Sequence, residues 1–170
     1  MSRLQPREIG LITAALALVA DQGSKLFMLH ALDFARMAPG ENVPVLPFFN
    51  LVMVWNPGVS YGLFPASGPL GTFLLVGLAG VIAPAVLTWL MWRTTSRALA
   101  IGYGLIIGGA LGNNLVDRLI YGRVADFFHF YGFGYDWYIF NVADVAITLG
   151  AIAIIYDVLR PEHPPASSEV

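Results

Sequence analysis

The sequence predicts an all-α membrane protein: four transmembrane helices with a small extracytoplasmic β-sheet. Three observations predict it. The 170 residues are 57% hydrophobic and only 12% charged, about half the charged share of a soluble domain, and mean hydropathy is +0.69. A bilayer core needs about 20 mainly apolar residues per helix, and four runs of that kind occur: charge-free ones at Leu70–Trp92 and Leu99–Val116, interrupted ones at Ile9–Leu32 and Val142–Leu159. Between Ile9–Leu32 and Leu70–Trp92 lies "NVPVLPFFNLVMVW", whose β-branched and aromatic residues, bounded by Pro and Gly, read as two or three short strands at the membrane surface.

Taken in order, the spans are expected at about 9–30, 70–92, 99–117 and 141–159, within a single domain over 1–160 that ends in a cytoplasmic tail at 161–170. The first begins like a secretory signal, with Arg3 and Arg7 before an apolar stretch. "ALVADQG" is a poor cleavage site, however, and apolar character resumes at "LFMLHAL", so the segment reads as an uncleaved span. Of the nine Lys and Arg residues, five share one side: Arg3, Arg7, Arg93, Arg97 and Arg160. The positive-inside rule then makes both termini and the "RTTSR" turn cytoplasmic, with 33–68 and 119–140 outside. The second outer segment holds nine Phe, Tyr and Trp residues between Phe127 and Phe140, a composition suited to the headgroup zone.

Composition also narrows function. A net charge of −2 without a Lys/Arg cluster argues against nucleic acid as a partner. With no cysteine in the chain, disulfides, thiolate catalysis, Cys-ligated zinc and lipidation at Cys are excluded.

The informative residues are polar ones at membrane depth, which are costly and usually face the protein interior at a functional site. Asp21 and Lys25 are spaced i, i+4 and can pair on one helix face. Counted from Ile9 they lie roughly 18 and 24 Å along the helix, in its outer half. Asn113, Asn114, Asp117 and Arg118 fall where the third span reaches that level, and Asn141 and Asp144 where the fourth leaves it. An Asp beside an Arg at a helix end ordinarily fixes a loop, and Asp21–Lys25 reads equally well as a structural ion pair. Asp126 and Asp144 differ. Asp126 stands among apolar and aromatic neighbours, and Asp144 sits in the first turn of a span with Asn141 placed to cap it. If both face one pocket, burial and mutual repulsion leave one proton between them. Such a pair is suited to hydrolysis: one member activates water while the other protonates the carbonyl oxygen.

Competing signals are weak. "GVSYG" at Gly58–Gly62 matches a serine nucleophile elbow but lacks the α/β sheet that gives the pattern meaning. His30, His129 and His163 are too scattered for zinc. A proton relay through Asp21, Asp117 and Asp144 would need acids through the inner halves of the spans, where only Asp157, at the very end of the fourth, occurs.

Five motifs in order, "DQGSK" (Asp21–Lys25), "NPGVSYG" (Asn56–Gly62), "GGALGNNLVDR" (Gly108–Arg118), "GRVADF" (Gly122–Phe127) and "FNVAD" (Phe140–Asp144), resemble the bacterial lipoprotein signal peptidases, or type II signal peptidases. The resemblance implies a metal-free, cofactor-free aspartyl endopeptidase of the bacterial inner membrane. It is expected to act as a monomer on a prolipoprotein already carrying diacylglycerol, cutting on the amino side of the lipidated cysteine. It also implies Asp126 and Asp144 as catalytic acids, with Asp21, Lys25, Asn56, Gly58, Asn114, Asp117, Arg118, Asn141 and Ala143 shaping the pocket or holding substrate. One departure stands out. The family runs glycine directly into N-x-x-D-R, whereas "GNNLVDR" has one residue more, so Asn113 or Asn114 is the equivalent; the spacing to Asp117 favours Asn114, and a helix bulge would reconcile the two.

Overall fold

A computed structural model describes residues 4–58 and 68–160. Among the described residues, four helices are long and apolar enough to cross a membrane: α1 (Pro6–Ala31), α2 (Val76–Arg93), α3 (Arg97–Tyr121) and α4 (Val142–Leu159). A helical Gly68–Leu75 leads directly into α2. The expected motif "NPGVSYG" lies outside the described residues from Val59 onward, as do the terminal segments 1–3 and 161–170.

The helices turn apolar side chains outward. Leu16, Val19, Phe73, Val158 and Leu159 are each well over half exposed, the inverse of a soluble bundle and the arrangement lipid permits. Lipid tails offer no hydrophobic drive for helix association, so close backbone packing has to hold the bundle. Small residues on α3 supply it on two faces. Toward α1, a Cβ on Gly104 or Gly108 would strike the Gly10 or Ala14 carbonyl oxygen; toward α4, one on Gly102 or Gly109 would lie 2.9 and 2.7 Å from the Gly150 and Ala143 carbonyl oxygens.

The two ends of the bundle differ in chemistry. At one, Ser96 caps α3 and donates its hydroxyl to Asp157 Oδ1 at 2.7 Å, near the end of α4. The Arg7 guanidinium lies 5.7 Å above the Trp92 ring, and that of Arg93 lies 4.6 Å above Trp89. At the other end sits an antiparallel sheet in the order β1 (Asn42–Leu46), β2 (Phe49–Asn56), β3 (Val124–Gly132) and β4 (Tyr135–Asp136).

Strands β1 and β2 fall in the segment read as strands. β3 comes instead from the aromatic run read as a headgroup belt, because its rings pack on one another and on the sheet. Phe127 is fully buried against Met28 and Phe34, and Phe49 and Phe130 pack with ring centroids 4.7 Å apart. Those rings left facing outward, Phe133, Tyr135, Trp137 and Tyr138, retain the composition of an interface belt.

Two irregularities aim the sheet at the helices. Pairing of β2 with β3 slips between Leu51 and Val54, which face Phe128 and Asp126; the extra residue on β2 bends the strand and re-aims its last residues, Trp55 and Asn56 among them. After β4 the chain doubles back so that Phe140 accepts from Phe127 N–H and Phe128 N–H, at 3.1 and 2.8 Å, and donates to the Phe128 carbonyl at 3.0 Å. That bridge delivers the next residue, Asn141, to the side of β3.

Candidate active site

Asn141 opens α4 with a reciprocal cap. Its Oδ1 accepts from Asp144 N–H, and the Asp144 carboxylate accepts from Asn141 N–H, both at 3.1 Å. The cap satisfies donors that a helix start leaves open and holds an acid where the helix dipole favours it. The Asn141 amide also donates to Asp126 Oδ1 at 2.6 Å, so one buried residue touches both acids. Asp126 takes a second amide hydrogen bond from Asn56 Nδ2 at 3.1 Å, and the Asn56 oxygen accepts from Gly58 N–H at 2.9 Å.

Beneath the acids lies a buried polar layer. The Lys25 ammonium has three donors and places them on Asp21 Oδ2 (2.8 Å), Asp117 Oδ2 (2.8 Å) and Asn113 Oδ1 (2.6 Å). Asp21 turns its other oxygen to Ala143 N–H at 3.0 Å, tying α1 to the first turn of α4, and Asp117 accepts from Ala125 N–H at 3.2 Å, tying α3 to β3. A side chain on Gly112 would collide with the Asp21 carboxylate. Asn113 completes the circuit by accepting from Asn141 Nδ2 and donating to Asp144 Oδ1, each at 3.0 Å. Asp21, Lys25 and Asp117 therefore each meet an opposite charge, the condition under which buried ions are tolerated.

The expected ion pair Asp21–Lys25 is present, whereas Asp117 and Arg118, adjacent in sequence, use different partners. Asp117 pairs with Lys25, and the Arg118 guanidinium reaches the carbonyl oxygens of Pro57 (3.0 Å) and Gly58, anchoring the end of β2. Asn114 is half-buried and turns its backbone toward α2, where a Cβ on Gly80 would lie 2.7 Å from its carbonyl oxygen. Sequence reasoning missed Gln22, whose amide bridges Asp21 Oδ2 (2.9 Å) and Asp117 Oδ1 (3.0 Å). Its place inside "DQGSK", beside one buried ion and a turn away from another, is the available signal.

Asp126 and Asp144 both line a cavity of about 590 Å³ whose other walls include Asn56, Tyr138, Phe140 and Thr148. The cavity is mainly apolar, with a few convergent polar groups. Burial pushes the Asp126 carboxyl up to about 7, the neighbouring Asp144 carboxylate adds to the rise, and the amides of Asn56 and Asn141 together with the Lys25 charge oppose it. Near neutral pH such a group both holds and releases a proton. Among the described residues, no three His, Cys, Asp or Glu side chains are grouped so as to hold a metal ion.

This architecture is shared. Over 95% of the chain it matches, with a TM-score of 0.77 and 27% identity, 93% of a bacterial membrane enzyme solved by the in meso method at 2.3 Å resolution. A second bacterial membrane enzyme structure, solved by the same method at 1.9 Å resolution, matches at a TM-score of 0.73 and 28% identity, with 89% of this chain and 92% of the other covered. The lipoprotein signal peptidase of Rhodopseudomonas palustris (strain TIE-1) is 46% identical over 160 residues, covering 92% of this chain and 94% of its own. That of Methylorubrum extorquens (strain PA1) is 47% identical over 163 residues, with 95% and 91% covered. The family model for signal peptidase (SPase) II matches residues 13–160, so the chain belongs to the signal peptidase II family of membrane peptidases.

Proposed function

We propose that the chain is an aspartyl endopeptidase that removes the signal peptide from diacylglyceryl-modified prolipoproteins, cutting on the amino side of the lipidated cysteine, with Asp126 and Asp144 as its catalytic acids. The observation that carries the reading is the single residue, Asn141, that hydrogen-bonds both carboxyl groups on the wall of one cavity.

With one proton on the pair, the ionised member takes a proton from water as its oxygen attacks the scissile carbonyl carbon, and the protonated member gives its proton to the carbonyl oxygen. Collapse of the tetrahedral diol breaks the C–N bond: the acid that took up the water proton passes it to the leaving amine, and a diol hydroxyl returns its proton to the other acid as the C=O re-forms. The proton count belongs to the pair, so each acid is both donor and acceptor within a cycle. The layer of Asp21, Lys25, Asn113 and Asp117 holds the elements that carry the acids, and Asn56, Gly58 and Arg118 shape the loop beside them. These contacts favour the supporting roles expected for those residues.

The polar end of the bundle is assigned to the outer leaflet of the bacterial inner membrane, and both termini to the cytoplasm. Arg7, Arg93 and Arg97 gather at the opposite end, as the positive-inside rule requires of a cytoplasmic face. Access from within the bilayer suits a substrate with acyl chains and a membrane-spanning signal peptide. One chain supplies both acids and the layer beneath them, which supports action as a monomer.

The test is cleavage by the purified chain in lipid, followed as a gel shift, with prolipoprotein bearing diacylglycerol and the same prolipoprotein unmodified. The lipidated form should be cut and the unmodified form left intact. Equal cleavage of both, or of neither, would overturn the assignment.

A further inference from the structure

We infer that Asn113, rather than Asn114, is the positioning residue for the Asp144 carboxylate, and that a π-turn in α3 absorbs the one surplus residue of "GNNLVDR". The inference rests on Asp144 being one of the catalytic acids.

Helix register separates the two asparagines. The positions of α3 that meet α1 are Gly104, Gly108 and Gly112, whose added side chains would strike Gly10, Ala14 and Asp21. They step by four, as an α-helix dictates. Asn113 touches this side only at the Lys25 ammonium; the residue that next turns to both Lys25 and Gln22 is Asp117, a step of five from Gly112. The extra residue is taken up within Leu111–Asp117, which is π-helical; a π-turn is how a helix accommodates a single insertion. Toward α4 the rhythm is undisturbed: Gly109 packs on Ala143, and four residues on, Asn113 reaches Asp144 and Asn141. Counting back from Asp117, as the N-x-x-D spacing does, crosses the π-turn and lands on Asn114. Counting forward from Gly109 does not, and lands on Asn113.

The surplus has a seat. The carbonyl of Asn114 lies over Gly80, itself within a π-helical stretch of α2 (Val76–Ile82), and the two irregular segments pack together. Asn113 meanwhile fixes Asp144 from a position that is itself fixed. Its oxygen is held by Lys25 and Asn141, so its amide N–H is turned toward Asp144 Oδ1.

Four variants of the full-length chain test this, assayed for cleavage of the diacylglyceryl prolipoprotein alongside thermal unfolding. Asn113→Ala should lower kcat on the order of 100-fold, the scale of a misplaced reacting group, with KM within about threefold because substrate contacts are untouched. Asn113→Asp keeps the oxygen that Lys25 and Asn141 use but replaces the donor to Asp144 with an acceptor. It should fold and show a similar loss of kcat. Asn114→Ala should keep kcat within about threefold. Removing one asparagine, which gives the same sequence whichever is removed, should let the π-turn close to an α-turn and retain activity. A fully active Asn113→Asp, or a loss of activity confined to Asn114→Ala, would overturn the assignment of the residue. An inactive deletion variant would overturn the account of the surplus. Asp144→Asn separates these failures from failure of the parent reading: if it remains active, the catalytic pair is wrong, whereas an inactive Asp144→Asn beside an active Asn113→Asp indicts Asn113 alone.

Discussion

Replacing Asn56 by Leu removes one of the two amide hydrogen bonds on Asp126, and the acceptor for Gly58 N–H, while keeping the branched shape of the side chain. The bond lost, Asn56 Nδ2 to Asp126 Oδ2 at 3.1 Å, favours the ionised acid and so opposes the burial that raises Asp126 to about 7. A hydrogen bond to a charged group contributes about 1.5–3 kcal/mol, and at 3.1 Å the lower end applies. At about 1.4 kcal/mol per pH unit, its loss moves the ionisation of Asp126 upward by about one unit. On the proposed mechanism, wild-type turnover should fall as pH rises through about 7, where the pair gives up the proton that protonates the carbonyl oxygen. In Asn56→Leu the same fall should come about one unit higher. The assay is kcat/KM for the lipidated prolipoprotein against pH, at fixed ionic strength and in one lipid composition. An alkaline limb that stays in place or moves to lower pH would refute the role given to Asp126.

Other consequences concern stability and packing. Lys25→Met leaves the carboxylates of Asp21 and Asp117 buried without their cation and should cost about 3–5 kcal/mol, read as a lowered denaturation midpoint in detergent; combining it with Asp21→Asn should cost less than the sum of the two single changes. Gly108→Val places a branched side chain against the Ala14 backbone, so it should separate α1 from α3 and lower the melting temperature, while a change such as Leu16→Val on the lipid side should leave it near the wild-type value. The raised ionisation of Asp126 also links stability to pH. Its contribution is fully present below its ordinary value of 3.8 and is lost as pH rises through about 7. The total is about 4 kcal/mol, and Asp126→Asn should flatten that part of the stability profile.

Much of the fold is legible in the sequence because membrane depth makes polar residues expensive. The four apolar runs mark the helices, and the charges that interrupt them mark the site. The capping relation of Asn141 and Asp144 is legible from their spacing alone. The sequence hides whatever depends on register or on backbone pairing. β3 reads as an interface belt because nine aromatic residues fit either setting, and only the Phe140 bridge and the packed rings of Phe49, Phe128 and Phe130 decide between them. Gln22 is a neutral amide on a helix, with no periodicity to distinguish it from a surface residue. The π-turn at Leu111–Asp117 has no local signature beyond a residue too many, so a count along the chain selects Asn114 while the geometry brings Asn113 to the acids. Adjacency misleads at Asp117 and Arg118, which sit side by side yet serve Lys25 on one flank and the Pro57 carbonyl on the other.

The central claim is that Asp126 and Asp144 perform the hydrolysis together. Single-turnover cleavage of diacylglyceryl prolipoprotein by Asp126→Asn and by Asp144→Asn, each confirmed as folded and membrane-inserted, tests it most directly. Each variant should lose cleavage to the background level, and the double variant should be no worse than either alone, as expected of groups that act as a unit. Wild-type turnover in either single variant would contradict the account.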